Sequence, residues 1–205
     1  LNTCSITAVD GVRDKPVLLQ EFISDEGIEI MSLCETRLSG NELPSVLSSI
    51  TPPNFSLLYE PWSVSSAGGV AFLYRSYLKL KKIELIKCES FEYLFAGFTL
   101  CGQSFRILTV YRSPSASKPV FLREFASLLE IIVPSSGELI ITGDFNLHVD
   151  DNSDLYATKF LKLLASFNLI QLVNFPTQNQ GHTLDHLICR KDSDIVSEVD
   201  WIIPF

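Results

Sequence analysis

Three groups of oxygen-bearing residues stand where apolar runs of strand length stop: Asn2, Glu35, and the pair Asp144 and Asn146. The pair is the most informative. Leu139, Ile140 and Ile141 lead through Thr142 to Gly143, and a carboxylate and a carboxamide then follow two residues apart, as where a buried strand opens into a site. Along an extended backbone i and i+2 share a face, so Asp144 and Asn146 converge while Phe145 turns to apolar packing. That arrangement holds a hard cation or a phosphate oxygen, although an Asx turn after a strand is also compatible with Gly143. Glu35 alone reads as a capping carboxylate. Strand ends in an α/β sandwich gather along one edge, however, so Asn2, Glu35 and the Asp144/Asn146 pair are read together as one pocket.

Other polar residues divide less sharply. In Thr183-Leu184-Asp185-His186, alternation places Asp185 on the face opposite His186, which makes Asp185 the site candidate. His148, His182 and His186 read as ordinary polar residues beside turns. Asp150, Asp151 and Asp154 lack the glycine and closing Glu of a calcium loop and are expected at a solvated helix N-terminus. Ser65 to Gly69 contains glycines without the lysine of a phosphate-binding loop.

The elements that must position these residues follow from periodicity. Strands are expected at Leu1–Ile6, Ile28–Cys34, Phe55–Tyr59, Gly69–Tyr74, Ile83–Lys87, Phe91–Leu100, Ser104–Tyr111, Leu139–Thr142, Leu169–Val173 and Thr183–Cys189, with an extended apolar run at Ile195–Ile203. A helix capped by Asp14, with Pro16 in its first turn, is expected to bury Val17, Leu18, Phe22 and Ile23 and to stop at Gly27. A short helix is expected within Asn41–Ile50. Two more follow, one through Phe121, Phe125, Leu128, Leu129 and Ile132, the other through Tyr156, Phe160, Leu163, Leu164 and Phe167. Cys101-Gly102-Gln103 joins its strands as a hairpin, and Ser63 to Gly69 reads as a flexible loop. Hairpins mixed with helical crossovers point to a mixed sheet system covered by helices rather than a purely parallel sheet.

At 205 residues the chain is read as one domain with a large core. Its formal charge of −8 argues against non-specific coating of nucleic acid, which relies on clustered Lys and Arg, but not against a nuclease whose site is itself acidic. The five cysteines form no C-x-x-C pair, so reduced thiols and a nuclear or cytoplasmic location are expected. No membrane-spanning stretch and no signal peptide are visible.

Five ordered motifs carry a resemblance: Cys34-Glu35-Thr36-Arg37-Leu38, Gly68-Gly69-Val70-Ala71, Val110-Tyr111-Arg112-Ser113-Pro114-Ser115, Gly143-Asp144-Phe145-Asn146-Leu147-His148-Val149-Asp150 and Gly181-His182-Thr183-Leu184-Asp185. Together with the Asn152-Ser153-Asp154 helix start and the Pro176-Thr177 loop, they resemble the endonuclease/exonuclease/phosphatase superfamily, and within it the endonuclease domain of LINE-type (non-LTR) retrotransposons. The resemblance implies a four-layer α/β sandwich of two mixed β-sheets flanked by helices. It also implies Mg²⁺, with Mn²⁺ as an alternative, held at Glu35 with Asn2 beside it. By the same resemblance Tyr111 contacts the scissile phosphate, Asp144 orients or deprotonates the attacking water, Asn146 bonds a phosphate oxygen and Asp185 stands behind as an acidic partner. The implied substrate is DNA, and the implied parent protein carries a reverse transcriptase.

One departure bears on activity. The family pattern closes on a Ser-Asp-His motif, and no Ser-Asp-His occurs in the sequence. The expectation is therefore a chain truncated before its final strand, with a recognisable site and much-reduced activity. A phosphatase, a lipid phosphodiesterase and an inactive binding remnant are the competing readings.

Overall fold

The computed structural model describes residues 1–7, 9–10, 13–61, 68–151, 153–178 and 181–200. Its elements, in chain order, are β1 (Val9–Asp10), β2 (Arg13–Asp14), α1 (Lys15–Asp25), β3 (Ile30–Cys34), α2 (Pro44–Ile50), β4 (Phe55–Glu60), β5 (Val70–Arg75), β6 (Lys81–Lys82), β7 (Glu92–Leu100), β8 (Gln103–Tyr111), α3 (Lys118–Ile132), β9 (Glu138–Asp144), α4 (Leu155–Ser166), β10 (Leu169–Gln171) and β11 (Asp185–Arg190).

Two sheets carry the fold. One has the order β10-β11-β9-β8-β7-β6, and the other the order β3-β5-β4. The larger is mixed because β8 and β9 run parallel, joined through α3, whereas its other pairs are antiparallel. The smaller is antiparallel in its named strands, and a lone parallel bridge from Asn2 to Cys34 adds the N-terminal segment to its edge.

Period-two alternation sorts the side chains into three interlayer cores. On β5, Val70, Phe72 and Tyr74 face the other sheet, while Ala71 and Leu73 face α1 and α2, against Leu19, Ile23 and Ile50. On the large sheet, Ile107, Tyr111 and Ile140 face the small sheet, while Leu108, Val110, Leu139 and Ile141 pack under Phe121, Phe125 and Leu129 of α3 and Phe160 and Leu164 of α4. Three cores between helices, sheet, sheet and helices make a four-layer α/β sandwich.

Local chemistry places the joints. Cys101 and Gly102 both adopt positive φ (49° and 81°), the twist of a two-residue hairpin between Leu100 and Gln103. Asp154 caps α4 by accepting from the Tyr156 and Ala157 amides. Gly27, at φ 62°, closes α1, with the Ile28 amide reaching back to the Ile23 carbonyl.

Several expectations are corrected. Ile83 to Lys87 is not a strand: ladder pairing is confined to Lys81 and Lys82, after which Ile83, Leu85 and Ile86 fold over the helix-side core and Tyr93 Oη donates to the Ile86 carbonyl. The inner face of α1 is Pro16, Leu19 and Ile23, with Phe22 packed beside it, whereas Val17, expected on that face, is 51% exposed. Asp14, expected as its cap, lies in β2. Residues 196–200 carry no strand, and 201–203 lie outside the described residues. Of the expected Ser63–Gly69 loop only Gly68 and Gly69 are described, and they are held: the Thr36 and Arg37 amides donate to the Gly69 and Gly68 carbonyls.

Candidate active site

The C-terminal end of β9 is the centre of the site. Asp144 lies opposite Tyr111 of β8 on one side and Asp185 of β11 on the other, so three candidate site residues share one line across the large sheet. Gly143 makes this possible. Its φ is 135°, and a Cβ there would stand 2.0 Å from the Val110 carbonyl oxygen, so only glycine allows β8 and β9 to close up at this point.

The small sheet supplies the facing half. Glu35 follows β3 with φ 54°, and Arg37 has φ 55°, two left-handed non-glycine residues at one bend. The bend is clamped from both sides. Thr3 Oγ1 donates to the Cys34 and Glu35 carbonyls, the Ser5 amide donates to Glu35 O, and Gly68 and Gly69 hold the next two residues.

Asn2 joins the halves. Its Nδ2 donates to Glu35 Oε1 at 2.9 Å and to Asp144 Oδ2 at 3.0 Å, while its Oδ1 accepts from the Cys4 amide at 3.1 Å. The amide therefore stands between two carboxylates as a donor, beside the Glu35 group at which the resemblance implied a metal. Asn146 also differs. Strand geometry ends at Asp144, and with φ 49° at Asn146 the expected alternation fails; its amide donates to Asp144 Oδ1, and its Nδ2 donates to the Arg112 carbonyl at 2.7 Å.

Burial controls the charges. Asp144 is pushed up to about 7, first by desolvation and then by the Asp185 carboxylate, with Asn2 and the Asn146 amide opposing. Asp185 is raised as well, chiefly by burial, against a hydrogen bond with Thr177. The Tyr111 phenol is driven well above its ordinary value by burial and then by Glu35, to which it is hydrogen bonded, so it stays neutral.

Arg112 enters the sequence reading only within the Val110–Ser115 motif, and the structure gives it a larger part. It is completely buried, donating from Nε to Phe145 O (2.7 Å), from Nη2 to Asn146 O (2.6 Å) and from Nη1 to Ala116 O (2.7 Å). It thereby fixes the backbone that follows Asp144. Thr177 does the same for Asp185: its Oγ1 accepts from the Leu184 and Asp185 amides.

His186 is sealed in the core beside the rings of Phe145 and Phe160, outside the site. Asp150, expected as a solvated helix start, instead reaches across to His182 and the Thr183 amide, whereas Asp151 caps Ser153 locally. Asn152 lies outside the described residues.

A groove of about 350 Å³ opens beside Tyr111, lined in part by Glu92, Ser113, Ser115 and Ser117. Among the described residues no group of three or more His, Cys, Asp and Glu is gathered to hold a metal ion. A hard divalent cation that keeps most of its waters needs only one or two carboxylates, and Glu35, half-buried at the rim, meets that requirement.

Two face-to-face sheets flanked by helices, with acidic and amide groups at their shared edge, define a four-layer α/β fold, and the comparisons agree. The chain belongs to the endonuclease/exonuclease/phosphatase family, whose sequence model matches residues 2–204. In fold it is similar to the endonuclease domain of TRAS1, a telomere-specific non-LTR retrotransposon (TM-score 0.62, 12% identity, 86% of this chain and 80% of that one). It is also similar to an AP endonuclease from Archaeoglobus fulgidus (0.64, 11%, 93% and 84%) and to the human Nocturnin catalytic domain (0.57, 16%, 92% and 81%). No curated protein matches it in sequence. Among the described residues no helix is long and apolar enough to cross a membrane.

Proposed function

We propose that the chain is a divalent-metal-dependent phosphodiesterase domain acting on DNA, of the kind that nicks a target strand for a retrotransposon protein that also carries a reverse transcriptase. The observation that carries this reading is the Glu35–Asn2–Asp144 bridge, which sets one carboxylate for a cation and a second, poised near neutrality, for a proton. The likeness to the TRAS1 endonuclease domain supports the choice of substrate.

The roles follow from chemistry. Mg²⁺, with Mn²⁺ as an alternative, would be held at Glu35 and would neutralise charge building on the phosphate oxygens. Asp144, near pH 7, takes the proton of the attacking water and is oriented by the Asn2 amide and the Asn146 backbone. Tyr111, neutral, donates to a non-bridging oxygen, and Asn146 offers a further polar contact. Asp185 keeps Asp144 basic through its charge.

The test is relaxation of supercoiled plasmid with Mg²⁺, with Mn²⁺ and with EDTA, using Asp144→Asn as control. Slow, metal-dependent nicking lost in the control supports the reading. Hydrolysis of phosphomonoesters or lipid diesters without nicking replaces it with the phosphatase reading, and no hydrolysis with intact folding replaces it with a binding remnant.

A further inference from the structure

Asp150 holds two groups that the mechanism above does not use. Its Oδ1 accepts from the Thr183 amide at 2.8 Å, and its Oδ2 pairs with His182 Nδ1 at 2.9 Å. The His148 ring packs edge-to-face on His182, with centroids 4.3 Å apart.

Both histidines sit on the backbone that builds the site. His148 follows Asn146 by two residues and His182 precedes Asp185 by three, and the Phe145 amide ties the two segments together through the Leu184 carbonyl at 3.0 Å. Thr177 serves both ends, its amide donating to the His182 carbonyl and its hydroxyl receiving the Asp185 amide.

A carboxylate pinned by a backbone N–H does not swing, so it fixes the His182 ring with Nδ1 inward and leaves Nε2 as the outward atom. The side chains of His182 and Asp150 are 37% and 32% exposed, so the pair stands at the protein surface. The His186 Nε2, in contrast, is buried and without a hydrogen-bond partner. Arg112, the cation closest in sequence to Tyr111, spends its donors on carbonyls.

We propose that His182, oriented by Asp150 and buttressed by His148, contacts a backbone phosphate of the bound polynucleotide, next to the phosphate that is cleaved. The proposal rests on the reading of the site as acting on DNA. An imidazolium with Asp150 on Nδ1 and a phosphate on Nε2 satisfies both of its donors with charge-assisted bonds. It also supplies a positive contact at the rim of a chain whose formal charge is −8, where steering by surface lysines is weak. His148 packs against the His182 ring in a T-shaped contact and limits its rotation.

The test is equilibrium binding of a labelled DNA duplex in EDTA, which excludes turnover, over a series of salt concentrations. Wild-type chain, His182→Gln, Asp150→Asn, the double variant and His182→Lys are compared, with melting curves to verify folding. His182→Gln is expected to weaken binding about tenfold at low salt and to lower the slope of log K against log salt by roughly 0.9, the share of one phosphate. Asp150→Asn acts through His182, so the double variant should be no weaker than His182→Gln alone. His182→Lys should restore most of the slope. An unchanged slope in a folded His182→Gln chain, or additive losses in the double variant, overturns this proposal alone. A wild-type chain that binds no duplex overturns both this proposal and the DNA reading.

Discussion

Asp144 and Asp185 are directly opposed across the antiparallel β9–β11 ladder, two carboxyl groups facing one another at the end of the large sheet. Like charges in that position are ordinarily destabilising. Here burial and mutual repulsion move Asp144 up to about 7.

That displacement makes a prediction about stability. A carboxyl group whose folded value lies above its unfolded one binds a proton on folding, so it weighs against the folded state as pH rises from about 4 to about 7. Melting temperatures of wild type and Asp144→Asn, measured in EDTA between pH 4 and pH 8, should diverge in favour of the variant as pH rises. A constant difference across that range would contradict the assignment.

Asn2 should be sensitive to replacement. Asn2→Leu removes the donor shared by Glu35 and Asp144, and the nicking rate is expected to fall about a hundredfold with little change in KM, as for loss of one preorganised donor. Asn2→Asp places a third carboxylate between the other two and should be both inactive and less stable. Steady-state nicking and thermal melts distinguish these outcomes.

His186 gives the acid limb of stability. Desolvation holds the ring down at about 4, against 6.5 for the free side chain. The unfolded chain therefore binds the extra proton first; the contribution is fully present above about 6.5 and is lost as pH falls toward 4, amounting to about 3 kcal/mol. His186→Phe, in a pocket already walled by Phe145 and Phe160, should flatten the decline in unfolding midpoint between pH 6.5 and pH 4.

Arg112 should prove structural and selective at once. Arg112→Met leaves the Phe145, Asn146 and Ala116 carbonyls without their donor and is expected to cost about 3 kcal/mol or more in urea unfolding. Arg112→Lys keeps the charge but not the planar fork and should recover only part of that loss.

What could be read from residues alone follows the range of the forces involved. The β9 strand and Asp144 were legible because an apolar run and a glycine announce a buried strand and its close approach within a few residues. Glu35 and Asp185 were legible for the same reason, as polar residues bounding strand-like stretches. Tyr111 was reached only through the resemblance, and its alignment with Asp144 depends on a parallel register set by a helical crossover. Asn146 was misplaced because a single left-handed residue breaks the alternation on which the reading depended. The positions held by Arg112, Thr177 and Asp150 depend on hydrogen bonds that reach 33, 7 and 33 residues along the chain, which no local pattern encodes. Ile83 to Lys87 has strand composition and still packs as an irregular cover, since tertiary contacts override propensity there.

The Asn2 bridge spans the seam between the two sheets: Glu35 belongs to one and Asp144 to the other. Cross-sheet contacts sit directly behind it, with Ser32 Oγ donating to Thr109 Oγ1 and the Cys34 thiol donating to the Val110 carbonyl. The site thus works as a vernier for the sandwich. A slide of one sheet along the other by even an ångström would pull Asn2 off one carboxylate while both sheets kept every ladder bond. Loss of activity without loss of secondary structure is therefore the signature to expect from substitutions at Ser32 or Thr109, far from any substrate atom.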